Sequence, residues 1–488
     1  MVSQNSSRFV CFVQWMELHW SWFVATAGLI ILFVLSMPSF YSDVLLVRIQ
    51  EETNSSLISP EWVWPIQTTV IYLLCPLSGV MMACFQPAYV VIFGSAIASA
   101  SMVASSLVSS EVIFVVTMGL LYPLSLTFCL NTIAYNLSTH FPKDSFTKPF
   151  AISSMGIPLG ALLMQSIKDQ IVYWGKWRTQ LQIIAGVYPA LLIPFAAFII
   201  PKKTILRKRF LQNSNRQSLS SRKSWTTSIV LGEGRTEDDC KIDPEQVSPN
   251  TSLDRNKTPV GINSLYSKKR GLSLLDCNNF LLFVWLLLPP IAWFVQWFGL
   301  TTFWNDMHIG QRTIPRIHMV MAASDILGRV LAMVVGNRLA SQKIGTFVIQ
   351  IMLYTAISFV QILILHQWSA LICAIICSMV RGLFEVLAFS IVIQEFSSLQ
   401  CRKSVTFTML SLGVGHLSGL LFTGAVHFTT NSFRHLFFVN ILAYQTLLFV
   451  IVATPLTSRK RKPDHDKVEW RVSASTDATS DDCRSERL

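Results

Sequence analysis

Charge is what this sequence has least of. Only 14% of its 488 residues are Asp, Glu, Lys or Arg, against about a quarter in soluble domains. The shortage is concentrated. No charged residue occurs from Trp62 to Ser110, and after Glu111 none occurs again until Lys143. Apolar runs longer than about 18 residues mark membrane-spanning helices. The pattern excludes a soluble enzyme, a disordered chain and a nucleic-acid-binding domain. The net charge of +12 is therefore read as an orientation signal, and no nucleic acid partner is expected.

Other absences narrow the reading. There is no His-Glu-x-x-His metal site, no phosphate-binding Gly-rich loop and no Gly-x-Ser-x-Gly elbow, so neither an enzyme nor a cofactor is expected. The 10 cysteines form no metal or redox spacing. Cys373 and Cys377 share a helix face, where packing is the simpler explanation. No small-residue cleavage site follows the first apolar stretch, Leu18 to Ser42. That stretch is longer than a signal-peptide core and reads as a first span.

What the sequence does have is long apolar runs. Backbone groups in lipid must be satisfied internally, so each run is read as a helix. Twelve are expected, at approximately 20–46, 62–85, 87–108, 112–136, 149–170, 179–200, 279–302, 314–337, 345–366, 369–394, 404–427 and 434–455. The fold class is thus all-α, a polytopic membrane protein with two six-helix halves at 18–200 and 277–456. Residues 1–17 form an N-terminal segment, 201–276 a polar, Ser- and Lys/Arg-rich loop expected to be mostly disordered, and 457–488 a similar tail. Basic clusters follow the sixth span (Lys202, Lys203, Arg207, Lys208, Arg209), precede the seventh (Lys268, Lys269, Arg270) and follow the twelfth (Arg459, Lys460, Arg461, Lys462). With twelve spans all three lie on one side, which the positive-inside rule makes cytoplasmic. Both termini are expected inside, and the plasma membrane is the expected location.

The few intramembrane charges stand out, because a charged side chain at the bilayer centre costs at least about 2.5–3.5 kcal/mol. Asp325 and Arg329 are four apart in span 8, and Arg381 and Glu385 are four apart in span 10. Each pair shares a helix face. At 1.5 Å per residue Asp325 lies about 16 Å deep. His318 is seven residues earlier on the same face. Intrahelical pairing contributes only about 0.2–0.5 kcal/mol in water, too little to offset insertion. A functional role for Asp325 and Arg329 is the favoured reading. Bundle stabilisation is an equal alternative for Arg381 and Glu385. His318, His416 and Asn131 are weaker candidates, since lone polar residues more often bond a neighbouring helix. The first half carries almost no charge away from helix ends, so an anion at the midplane would be met by Arg329 or Arg381.

Several motifs resemble the monocarboxylate transporter family of the major facilitator superfamily. Glu17-Leu18-His19-Trp20-Ser21-Trp22 is similar to the acidic, Trp-containing opening of that family's first helix. The stretch from His140 to Gly160, HFPKDSFTKPFAISSMGIPLG, is similar to its second signature, and Lys176-Trp177-Arg178 to its Gly-Trp-Arg before helix 6. The family's helix-8 Asp-x-x-x-Arg matches Asp325 and Arg329. The resemblance spans about 18–200 and 279–456. It implies a major facilitator fold with alternating access, and it assigns Asp325 and Arg329 to substrate and proton handling. Glu17, Trp20, Trp22, Trp177 and Arg178 carry the signatures. Lactate–proton carriers place a Lys after a Pro in helix 1. Here Pro38 is followed by Ser39, and no Lys or Arg occurs between Trp20 and Val47. Ser39 therefore takes that place at the substrate site.

The expectation is a secondary active or facilitative transporter of a small organic solute, a monocarboxylate by preference, with a proton as candidate co-substrate through Asp325. Arg329 would hold the carboxylate by a bidentate contact, and Arg381, Glu385, Ser39 and His318 would complete the site. The remaining expected partners are the lipid bilayer and a single-span accessory protein. The alternative is a non-transporting membrane sensor or scaffold that keeps the fold, motivated by the eroded signatures and the long basic loop.

Overall fold

The computed structural model describes residues 20–54, 57–58, 60–173, 176–199, 277–306, 314–363, 367–396 and 400–430, with positions 438, 441–442, 444–446 and 448. The expected twelfth span, the loop at 201–276, the tail at 457–488 and Glu17 lie outside the described residues or are only touched by them. No strand occurs among the described residues. Ten helices there are long and apolar enough to cross a membrane.

The first half contains α1 (Trp20–Thr53), α2 (Val63–Cys84), α3 (Pro87–Leu107), α4 (Glu111–His140), α5 (Thr147–Ile167) and α6 (Trp177–Ala196). The second contains α7 (Cys277–Asp306), α8 (Ile314–Ser341), α9 (Lys343–Leu363), α10 (Gln367–Glu395) and α11 (Cys401–Thr430). Of these, α7 is the eleventh apolar helix, with an apolar core at Asn279–Phe294. The spans fall where the apolar runs predict. The main difference is α1, which continues to Thr53 instead of ending at 46.

Proline explains most irregularities. A proline removes one helical hydrogen bond and crowds the turn before it. Accordingly α1 tightens into a 3-10 turn at Met37–Phe40 around Pro38. α2 is interrupted at Leu74, just before Pro76. α4 widens into a π turn at Val115–Leu121, before Pro123, and α5 is interrupted at Met155, before Pro158.

The burial pattern differs from that of a soluble protein, because large apolar side chains also cover the outer surface. Leu77, Val80, Phe93, Leu107, Ile113, Ile183, Leu327, Val334, Ile349 and Leu421 face outward, while Gln67, Asn131, Asp325 and Arg329 are buried. Lipid solvates apolar side chains, so the polar groups turn inward, where helices can satisfy them. Gln67 donates to Ser42 Oγ at 3.1 Å and to the Met118 carbonyl at 2.9 Å, tying α2 to α1 and α4. Near the α1–α2 connection, the Glu111 carboxylate accepts from Gln50 Nε2 at 2.9 Å and from the backbone N–H groups of Leu57 at 3.1 Å and Ile58 at 3.2 Å.

The halves meet along two seams, α2 against α11 and α5 against α8. Within the second half, α8 and α10 pack most intimately. Two glycines permit it: a Cβ on Gly328 would strike the Met379 carbonyl of α10, and one on Gly382 would strike the Asp325 backbone of α8. On the α2–α11 seam, a Cβ on Gly413 would lie 2.6 Å from the Tyr72 carbonyl carbon. These close approaches put the charged faces of α8 and α10 beside the middle of α2 and α11.

Candidate functional site

On α8, Arg329 Nε donates to Asp325 Oδ1 at 3.0 Å, the contact expected for residues four apart. Its Nη2 donates to Glu385 Oε2 of α10 at 2.6 Å. Arg381 does not pair with Glu385 on its own helix. It approaches Asp325 instead, Nη1 to Oδ2 at 3.7 Å. The pairs inferred from spacing are therefore partly exchanged between helices. The glycine contacts explain why, since with backbones this close Arg329 reaches the neighbouring helix as readily as its own.

The two arginines differ in setting. Side-chain exposure is 0% for Arg329, 6% for Asp325, 11% for Glu385 and 22% for Arg381. Arg329 is sealed between two carboxylates, although its Nη1 has no hydrogen-bond partner among the described residues. Arg381 lies beneath aromatic rings, with its guanidinium carbon 4.4 Å from the Trp293 ring centroid on α7 and 5.5 Å from that of Trp64 on α2.

The first half contributes a polar group that charge alone could not reveal. The Tyr72 hydroxyl of α2 donates to Glu385 Oε1 through a short hydrogen bond across the two halves. The Tyr72 ring stacks on His416 of α11 at 5.1 Å and 11°. His416 Nδ1 lies 2.7 Å from the Leu412 carbonyl. A carbonyl only accepts, so Nδ1 carries a proton. Nothing marked Tyr72 or Trp293 in the sequence beyond aromatic character, and aromatic side chains are common in such helices.

These residues border a small cleft of about 50 Å³ whose walls include Tyr72, Trp293, Tyr354, Arg381, Glu385 and His416. Among the described residues, Arg381 is the one Lys or Arg in the lining, while Arg329 and Asp325 stand behind it. The quartet is formally neutral, two cations against two anions. An entering anion therefore adds an uncompensated charge, which a proton on one carboxylate would cancel.

The other sequence-derived candidates lie apart. Ser39 is buried in the 3-10 turn of α1, its hydroxyl without a partner among the described residues, and it does not line the cleft. His318 is near the start of α8, also outside the lining. Asn131 bonds across the seam: its Nδ2 donates to Ser78 Oγ, to the Cys75 carbonyl at 3.3 Å and to Thr406 Oγ1 at 3.5 Å.

The signature residues build a corner instead. Trp177 Nε1 and Arg178 Nη2 each donate to the Glu52 carboxylate at 2.7 Å. Arg178 Nη1 donates to the carbonyls of Ser106 at 3.0 Å and Val108 at 2.6 Å. This joins the start of α6 to the ends of α1 and α3. Trp20 packs on Phe198 at 5.6 Å, and Trp22 lies edge-on to Phe141 at 5.2 Å.

No protein-family model matches the chain. In sequence it is 24% identical over 194 residues to human monocarboxylate transporter 6, a match covering 38% of this chain and 37% of that protein. In structure it is similar to the human organic anion transporter MFSD10, with TM-score 0.55 and 10% identity over 88% of this chain and 98% of that one. It is also similar to the peptide transporter POT in complex with sulfate, with TM-score 0.57 and 12% identity over 88% and 94%. The chain is a multi-pass membrane protein that shares the fold of these transporters, and part of its sequence is similar to a monocarboxylate transporter.

Proposed function

We propose that this protein is a secondary transporter of a small organic solute, a carboxylate, working by alternating access. The observation that carries the proposal is the cleft itself, where charged and hydrogen-bonding groups of both halves meet in the middle of their helices. Arg329, Asp325, Arg381 and Glu385 come from the second half and Tyr72 from the first. Burying such a cluster in lipid is costly, and a cleft that must bind and release an anion gives it a purpose. The sequence similarity to human monocarboxylate transporter 6 supports the solute class, and the neighbouring organic anion and peptide transporters support the fold. Asp325 and Glu385 are the groups that would take a proton as an anion loads, making symport the favoured coupling. Rocking of the halves about the α2–α11 and α5–α8 seams exposes the cleft to each side in turn. The basic clusters support a cytoplasmic position for both termini, and the plasma membrane is the proposed location. The single-span accessory partner remains part of the proposal on the family resemblance.

The test is uptake of labelled monocarboxylates into proteoliposomes at two external pH values. Saturable uptake that quickens at lower external pH is expected. Uptake indifferent to an imposed pH gradient would remove proton coupling, and none of any carboxylate would remove the substrate class.

A further inference from the structure

The cleft is small, about 50 Å³, so a solute reaches it only when the halves part at one end or the other. The two ends are closed by different chemistry. Where α2 finishes and α11 begins, the halves are joined by a hydrogen bond and by close packing. Arg402 Nη1 of α11 donates to the Met82 carbonyl of α2 at 3.3 Å. The Phe150 ring of α5 lies 4.6 Å from that of Phe389 on α10. A Cβ on Gly336 of α8 would stand 2.6 Å from the Thr147 methyl of α5.

At the opposite end, where α2 begins and α11 finishes, the closure is aromatic. Trp62, in the 3-10 turn Pro60–Trp62, has its ring 3.4 Å from where a Cβ on Gly424 of α11 would stand. Two residues further in, Trp64 of α2 meets Trp293 of α7 edge-on, with ring centroids 5.3 Å apart. Phe40 of α1 backs Trp64 at 6.3 Å. Trp293 lines the cleft and Trp64 does not. Trp64 is therefore a second layer behind that wall, contributed by the other half.

Arg381 joins the two rings. It lines the cleft, and its guanidinium carbon lies 4.4 Å from the Trp293 centroid and 5.5 Å from that of Trp64. One cation thus rests on rings from both halves. Edge-on ring pairs and cation–π contacts are each weak enough to part and re-form. Trp293 and Asp325, the latter 3.7 Å from Arg381, belong to the same half as Arg381. They stay with it when Trp64 withdraws, so opening here strands no buried charge.

Resting on the alternating-access reading and the membrane topology above, we propose that Trp64 and Trp293 form the external gate of the cleft and that Arg381 is the strap that holds it shut.

The test uses the full chain with Ala388→Cys as reporter, since Ala388 lines the cleft. An impermeant methanethiosulfonate is applied to intact cells and, separately, to inside-out membrane vesicles. Labelling is measured above that of the chain without the reporter, at equal protein amount, and each variant's melting temperature is taken in detergent. External labelling should be slow with the gate intact. Trp64→Ala should quicken it at least tenfold, and Trp293→Leu should do the same from the other half. Arg381→Gln should quicken it several-fold. Arg402→Ala, at the far end, should leave it within twofold. In inside-out vesicles Trp64→Ala should not quicken labelling. Unchanged external labelling in folded Trp64→Ala and Trp293→Leu would overturn the gate. Acceleration from the vesicle side, alone or in equal measure, would overturn it as well. Unchanged labelling in Arg381→Gln alone would overturn the strap. The readout needs no solute, so a failure of carboxylate uptake would remove the substrate reading and leave the gate to be decided by labelling.

Discussion

Arg329 and Arg381 occupy neighbouring helices and face the same carboxylates, yet their removal should have different consequences. Breaking a buried ion pair by deleting one partner costs about 3–5 kcal/mol, because the remaining charge is stranded. Arg329→Leu would strand Asp325 and Glu385 together. We expect a large fall in folded yield and melting temperature, read by fluorescence-detected size exclusion. Arg381→Gln should change neither by much. Tyr72→Phe is a gentler probe. It deletes the hydrogen bond to Glu385 and keeps the ring stacked on His416. A bond to a charged group contributes about 1.5–3 kcal/mol, so a measurable drop in melting temperature is expected. Transport should change as well, because this contact joins the two halves that the proposed rocking would separate. Unaltered stability would show that Glu385 finds equal compensation from Arg329 alone. Spacing in the sequence brought forward all four charges, because charge in a lipid-facing run is conspicuous. It gave the Asp325–Arg329 pair correctly but misassigned the partners of Arg381 and Glu385, since four-residue spacing reports only what one helix can do for itself. Tyr72 escaped notice because a tyrosine in an apolar helix carries no comparable cost.

At the scale of elements, the site depends on how closely α8 and α10 approach. Gly328 and Gly382 have no room for a Cβ, since backbone atoms of the opposite helix already occupy the space. Leu at Gly382 would force the helices apart and lift Arg329 away from Glu385. Overpacking alone costs about 1–3 kcal/mol, and loss of the ion pair would add to it. Gly382→Leu should therefore reduce both folded yield and uptake. Gly186 on α6 is the control, because nothing lies within 4 Å of an added Cβ. Gly186→Ala should be neutral or stabilise by about 0.8–1.0 kcal/mol through helix propensity, checked by melting in detergent. A corresponding effect is expected where α6 docks. Arg178→Ala would remove contacts to Glu52, Ser106 and Val108 and should lower thermal stability without altering the KM of any substrate. The spans themselves were readable because hydropathy in lipid is nearly a one-dimensional code. Their internal breaks at Leu74 and Met155 follow from Pro76 and Pro158 only once the helices are known to pass through those positions.

For the whole molecule, the layout of two bundles follows from apolar runs and basic clusters, while the depth and lining of the cleft do not. The reason lies in the seams. Which faces of α2 and α11 meet depends on small residues such as Gly413 against the Tyr72–Leu73 backbone, and a glycine in an apolar helix has many possible neighbours. The place of Ser39 shows the same limit, because it falls on α1 where the resemblance puts it but does not line the cleft. Function enters at this scale, since a neutral quartet of the second half, hydrogen-bonded to Tyr72 of the first, is suited to taking up one negative charge and one positive charge together. The measurement that tests this most directly is uptake of a broad panel of labelled organic solutes into proteoliposomes at two external pH values. The account predicts saturable uptake confined to carboxylates, faster when the outside is more acidic. No flux of any panel member through folded, reconstituted protein would contradict it.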